Sequence, residues 1–360
     1  MKSLLKVLSI VAGSAALASL VACGGSESNS VQSFTATALV SDGAVPAPHT
    51  DANLKNPWGI AFNPKGFVWV ADNGTSVATL YDGNGVPQSL VVSIPDGSGG
   101  SANPTGIVFN GTTDFMVSQG GKSGAGVFIF VGEGGTVTAW SPAVSPTAAI
   151  TMFDDGSGGA VYKGLALASN GGANFLYAAD FHNSKIDVFD KTFKKVAMPG
   201  KFQDPTLPTG FAPFGMQAIG SKLFVTYAKQ NAAMHDNLDG PGLGFVDVFD
   251  TAGNLMQRFA SAGPLNAPWG VAQAPGNFGP FSGEVLIGNF GDGTINAFDP
   301  SSGKFVGTLK RKDGTVIVEQ GLWGIAFGNG LDNQPTNTLF FAAGPNGEAN
   351  GVYGRIDVQN

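Results

Sequence analysis

Cysteine is almost absent. The 360-residue chain has one, Cys23, so no intramolecular disulfide forms and no cysteine-built zinc site exists. Histidine is nearly as scarce: only His49, His182 and His235 occur, none in a His-Glu-x-x-His arrangement, which excludes the helical zinc motif. Charged residues make up 12% of the chain with a net charge of −7, which leaves no basic footprint for nucleic acid or anionic lipid. There is no Gly-x-Ser-x-Gly elbow, and the fragment Gly121-Lys122-Ser123 has Met116 where a phosphate loop requires its first Gly. After the first 22 residues no segment approaches 18 consecutive apolar residues, the length expected of a membrane helix.

Glycine, by contrast, is abundant: 54 of 360 residues, about twice the usual share of about 7%. It lacks collagen's three-residue period and is interspersed with 27 Phe and many Val, Ile and Leu, enough to build a large core. Short apolar segments separated by Gly-rich turns imply an all-β protein.

The N-terminus carries Lys2 and Lys6, then an apolar stretch from Val7 to Ala22, then Cys23. A charged start and a short apolar run are the marks of a secretory signal. Leu20-Val21-Ala22-Cys23-Gly24 resembles the lipobox of bacterial lipoproteins, in which the Cys becomes the lipid-modified first residue. The resemblance implies a signal peptide over 1–22, lipidation of Cys23, a flexible tether over 23–32 and a membrane partner through the anchor. It places the protein in an exported bacterial cell envelope, with Gly24 favouring the outer membrane. Loss of Lys2 and Lys6 with the leader takes the charge from −7 to −9. The alternative is an ordinary signal peptide cut near Ala-x-Ala, with Cys23 an incidental thiol.

The mature chain repeats itself. Six segments open with a bulky residue and Gly: PWGIAF, PTGIVF, YKGLAL, PFGMQAI, PWGVAQ and LWGIAF, with glycines Gly59, Gly106, Gly164, Gly215, Gly270 and Gly324, about 53 residues apart. A second strand follows each (FVWVADNG, DFMVSQGG, FLYAADFH, LFVTYAKQ, EVLIGNFG, LFFAAGPN), and then a third. Six such sheets packed radially make a six-bladed β-propeller over 33–360, a single domain and an expected monomer. The first strands line the channel, where a missing side chain lets neighbouring backbones approach. Ser33–Val40 has no blade of its own and the last repeat lacks a fourth strand, so the N-terminal strand is expected to complete blade six and cover its edge. In the second repeat DFMVS and GVFIFV both read as strands, which leaves a fifth strand, or seven blades, open.

PWGIAFNPKGFVWVADNGTSVATLYDGNG resembles an NHL-type propeller repeat. In order and along nearly all of the mature chain, VSDGAVPAPHTDANLKNPWGIAF, GFVDVFDTAGN, LNAPWGVA and GNFGDGTINAFDP resemble an uncharacterised family of secreted bacterial propellers. The resemblance implies the fold and carries no activity with it.

Chemistry, if present, lies in the polar groups after the second strands: Asp72 and Asn73, Gln119, Asp180 with His182, Lys229 with Gln230, Asn289 with Asp292, and Asn346 with Glu348. Equivalent points of different blades gather around one channel mouth. Asp72, Asp180 and Asn289 are oxygen donors suited to Ca²⁺, similar in type to the central cation of lactonase-like propellers, while the competing reading has each bonded inside its own turn. His182 is the candidate general base of a lactonase-like hydrolase or lyase. The long segment AKQNAAMHDNLDGPGLG is a candidate binding loop with His235, Asp236 and Asp239. Trp58, Phe214, Trp269 and Trp323 read either as a platform for a ligand or, first, as packing between blades. No catalytic signature and no required cofactor stands out. The leading expectation is therefore a binding module for a small molecule or a protein.

Overall fold

The computed structural model describes residues 32–359; the expected signal peptide over 1–22, Cys23 and the expected tether up to Val31 lie outside them. Six sheets, antiparallel except for a short parallel pair of Val40–Ser41 with His49–Thr50 at the edge of blade 6, form the blades, each with the first strand of its repeat innermost. Blade 1 comprises Pro57–Phe62, Val68–Asp72, Val77–Tyr81 and Val92–Ser93. The inner strands of blades 2 to 6 are Pro104–Phe109, Tyr162–Asn170, Phe211–Ile219, Pro268–Gln273 and Leu322–Phe327. Because the strands alternate in direction, the starts of the inner strands and the turns from second to third strand share one face, the mouth face.

The glycine of each inner strand sits where the next blade leaves no room for a side chain. A Cβ on Gly59 would lie 2.5 Å from the Thr105 carbonyl oxygen, one on Gly215 2.0 Å from that of Trp269, and one on Gly324 2.6 Å from that of Trp58, so the same contact also joins blade 6 to blade 1. All six inner strands shift register against their second strands around this point, as between Pro57 and Ile60 in blade 1. A bulge of this kind re-aims a side chain.

Between neighbouring blades lie separate apolar cores. The N-terminal strand Ser33–Ser41 pairs with the last strand, Val352–Gln359, and completes blade 6. Its Phe34 packs on Phe278 at 4.9 Å in the core shared with blade 5, while Leu39 and Val40 enter the core shared with blade 1.

The second repeat corrects the sequence reading. DFMVSQGG does not form the second strand: Met116–Gln119 pairs with Lys122–Ala125 as a separate hairpin, and the second strand is Phe128–Gly132. The hairpin belongs to the connection between first and second strands, on the face opposite the mouth, and the blade count is six rather than seven.

Replacing Phe34 and Leu39 by Asp places two charges in the cores on either side of blade 6. The double variant is expected to melt about 10 °C or more below the parent in a calorimetric scan. An unchanged transition would show that the N-terminal strand does not hold the ring closed.

Candidate functional site

The bulge brings the residue before each inner glycine to the channel axis. Trp58, Thr105, Lys163, Phe214, Trp269 and Trp323 meet there, all 8% exposed or less. Trp58 and Trp323 stack at 3.4 Å; Trp269 and Phe214 meet both edge-on at 5.8–6.2 Å. Trp269 Nε1 donates to the Lys163 carbonyl and Trp323 Nε1 to Asn56 Oδ1. The aromatic rings are thus a plug between blades and not an open platform.

Lys163 is the one charged member of this set. It is 1% exposed, with Nζ 5.1 Å over the Trp58 ring and 5.9 Å from that of Phe181. It ion-pairs with Glu133 of blade 2 and, at 3.5 Å, with Asp236 of the blade-4 insertion. Glu133 also accepts from Asn73 Nδ2 at 2.9 Å, and Asn56 Nδ2 donates to Glu348 at 2.8 Å and to Asn73 at 3.3 Å. His235 Nδ1 lies 2.8 Å from Asp236 Oδ1; this bond raises the imidazole pKa and holds the carboxyl down at about 2. Burial raises Glu348, and the nearby Glu133 and Asp236 charges add to the effect. Five blades therefore contribute to one network at the mouth.

Beside it, between blades 5 and 6, runs a groove of about 300 Å³ lined by Asp239, Phe290, Asp292, Gln320, Gly344 and Glu348 among others. Its aromatic wall, Phe290, stacks on Trp323 of the plug at 4.1 Å.

The other sequence candidates have local roles. Asp72 accepts from Thr79 Oγ1 at 2.8 Å and is fully buried, which pushes its pKa well up. Asp180, also raised by burial, accepts from Asn183 Nδ2 and the Val161 amide and lies 3.5 Å from Lys185 Nζ. Asn289 Nδ2 donates to the Pro264 carbonyl, Asp292 and Thr294. Each pairs with the first residue of its inner strand, one strand back from the axis. Asp72 is thus held by Thr79 of its third strand, and Asp180 and Asn289 by the turns that follow them, while Asp72 Oδ1 and Asn289 Oδ1 are buried without a hydrogen-bond partner. Glu133, His235 and Asp236 do place ligand atoms within 4.8 Å of one another, but the Lys163 ammonium already supplies positive charge to both carboxylates. The arrangement is an ion-pair network. His182 has its ring against Gly159 and its carbonyl bonded to Gln230, outside the network. Gln119 is on the hairpin of the other face. Asn73, Asp292 and the loop residues His235, Asp236 and Asp239 do reach the mouth or its groove.

Glu133 and Lys163 were missed. Glu133 directly follows the true second strand of blade 2 and was hidden by the misplaced strand. Lys163 was visible as the lone charge in a column of four aromatics and a threonine.

Six sheets closed in a ring define a six-bladed β-propeller, and residues 54–76 match the NHL repeat model. Two uncharacterised proteins of Acanthamoeba polyphaga mimivirus are 34% identical over 325 residues (88% of this chain, 78% of the relative) and 36% identical over 297 residues (80% and 77%). The chain belongs to the family of these mimiviral proteins. Both relatives are viral, so they lend no support to a bacterial exported setting. Among solved structures, a protein of unknown function from Bacteroides thetaiotaomicron aligns with TM-score 0.56 and 15% identity over 91% of this chain and 76% of its own. A virginiamycin B lyase from Staphylococcus aureus aligns with 0.51 and 13% over 91% and 99%. The soluble aldose sugar dehydrogenase of Escherichia coli aligns with 0.50 and 14% over 90% and 99%. These likenesses show the fold alone.

Removing one partner of a buried ion pair leaves an uncompensated charge and costs about 3–5 kcal/mol. Lys163→Met is expected to lose stability on that scale in urea titration, and adding Glu133→Gln should restore most of it. A loss under about 1 kcal/mol, at the level of an exposed pair, would mean that Lys163 is not what neutralises the mouth.

Proposed function

We propose that this protein is a binding propeller whose ligand sits at the channel mouth and its adjoining groove, without chemistry of its own. The observation that carries the reading is the convergence of Asn56, Glu133, Lys163, Asp236 and Glu348, from five blades, on one polar patch beside a 300 Å³ groove with an aromatic wall. Clefts of this size with a few convergent polar groups are where small ligands bind. The buried plug closes the channel behind the patch, so a ligand enters and leaves by the same face. Ligand-observed NMR against a panel of sugars, amino acids and amines is expected to find one class that binds. Phe290→Ala should weaken that binding at least tenfold, while Gln273→Ala on the opposite face should leave it unchanged. Equal binding by both variants would remove the site from this groove.

The proposal extends to location. The charged start, the apolar run and the Leu20-Val21-Ala22-Cys23 segment support export and lipid anchoring at a bacterial outer membrane. Expression in a Gram-negative host with labelled palmitate should mark the protein, and Cys23→Ala should abolish the label. A label that survives the substitution would reject the anchor.

A further inference from the structure

The groove lining contains Asp239, Asp292 and Glu348 and no Lys, Arg or His. The nearby ammonium, Lys163, is committed to Glu133 and Asp236, and the His235 ring to Asp236. Among the described residues none of the three groove carboxylates has an ion-pair partner. Asp239 bonds Asn237, Asp292 bonds Thr294 and Asn266, and Glu348 bonds Asn56, all neutral groups. Burial raises the pKa of Asp239 and Glu348 and neighbouring carboxylates push in the same direction, against the Lys163 charge and the Asn56 hydrogen bond at Glu348. The lining itself therefore presents three carboxylates and no cation.

Two further features bear on which cation. The wall is the ring of Phe290, held in place by its stack on Trp323, and an aromatic face attracts an ammonium through its quadrupole. Four glycines, Gly291, Gly321, Gly344 and Gly347, also line the groove and expose backbone there. Beside Asp292, the side-chain oxygen of Asn289 is buried without a hydrogen-bond partner, on the same amide whose nitrogen bonds Asp292. A bare metal ion would gain nothing from the aromatic wall, and a neutral sugar would leave the three carboxylates uncompensated.

We propose that the groove binds a small organic ammonium, its head held by Asp239, Asp292 and Glu348 and set against the ring of Phe290. This rests on the binding reading above and names its ligand class. The test is titration of the mature protein, followed by tryptophan fluorescence and NMR, with choline and ethanolamine against 3,3-dimethylbutan-1-ol, the neutral isostere of choline. An ammonium should bind at least tenfold tighter than the isostere and more weakly as salt rises. Asp239→Asn with Asp292→Asn should lower that affinity tenfold or more at an unchanged melting temperature. Phe290→Leu, which keeps the bulk and removes the π face, should lower it as well. If the isostere or the sugars of the panel bind equally well and respond to Phe290, the cation is overturned and the groove stands. If no probe of any class responds to Phe290 or the carboxylates, both readings fall.

Discussion

The ring depends on the close approach of inner-strand glycines to the backbone of the next blade. Each Cβ position is taken by a neighbouring carbonyl oxygen or peptide nitrogen, at 2.0 to 2.7 Å from where the Cβ would sit. No rotamer change can open that space, because the obstacle is backbone. The contact sets how tightly six blades close, and repeating it from blade 6 to blade 1 requires that blade 6 be complete. The N-terminal strand is therefore part of the same constraint: it fills blade 6 and sends Phe34 and Leu39 into the cores on either side.

The bulge that accompanies the glycine has a second consequence. It points the preceding residue at the axis, so a single column of the repeat decides what fills the channel. Four aromatics and Thr105 make that column apolar, and Lys163 makes it charged at one point. A buried ammonium needs carboxylates, and Glu133 and Asp236 meet it from two other blades. The electrostatics of the mouth follow from one exception in an otherwise hydrophobic column, and the cost of desolvating that charge is what ties the blade-4 insertion to the mouth.

The fold was legible because its period is in the sequence: six bulky-Gly strands near 53 residues apart and an orphan strand at the start. The site was legible only in part. The column of Asp72, Asp180 and Asn289 is real, but it marks second-strand ends whose carboxyl and amide groups bond nearby residues such as Thr79, Asn183 and Thr294, which spacing alone does not carry. Glu133 was lost through register. Two apolar runs, DFMVS and GVFIFV, competed for one place in blade 2, and only pairing with Pro104–Phe109 decides between them. The blade-4 insertion was recognisable by its length, because a loop that exceeds the turn it replaces must rest on something.

The two departures from the repeat lie on opposite faces. Blade 2 inserts its hairpin between first and second strands, away from the mouth, and it is held by Phe115 against Phe193 of blade 3 at 5.3 Å. Blade 4 inserts its loop between second and third strands, over the mouth, where His235 and Asp236 join side chains from the other blades. The hairpin adds apolar contact to a core that already exists, whereas the loop adds charge to a place that has no other cover. With the plug buried beneath it, the mouth face is where side chains from different blades converge on polar chemistry, and the groove between blades 5 and 6 is an open part of that face.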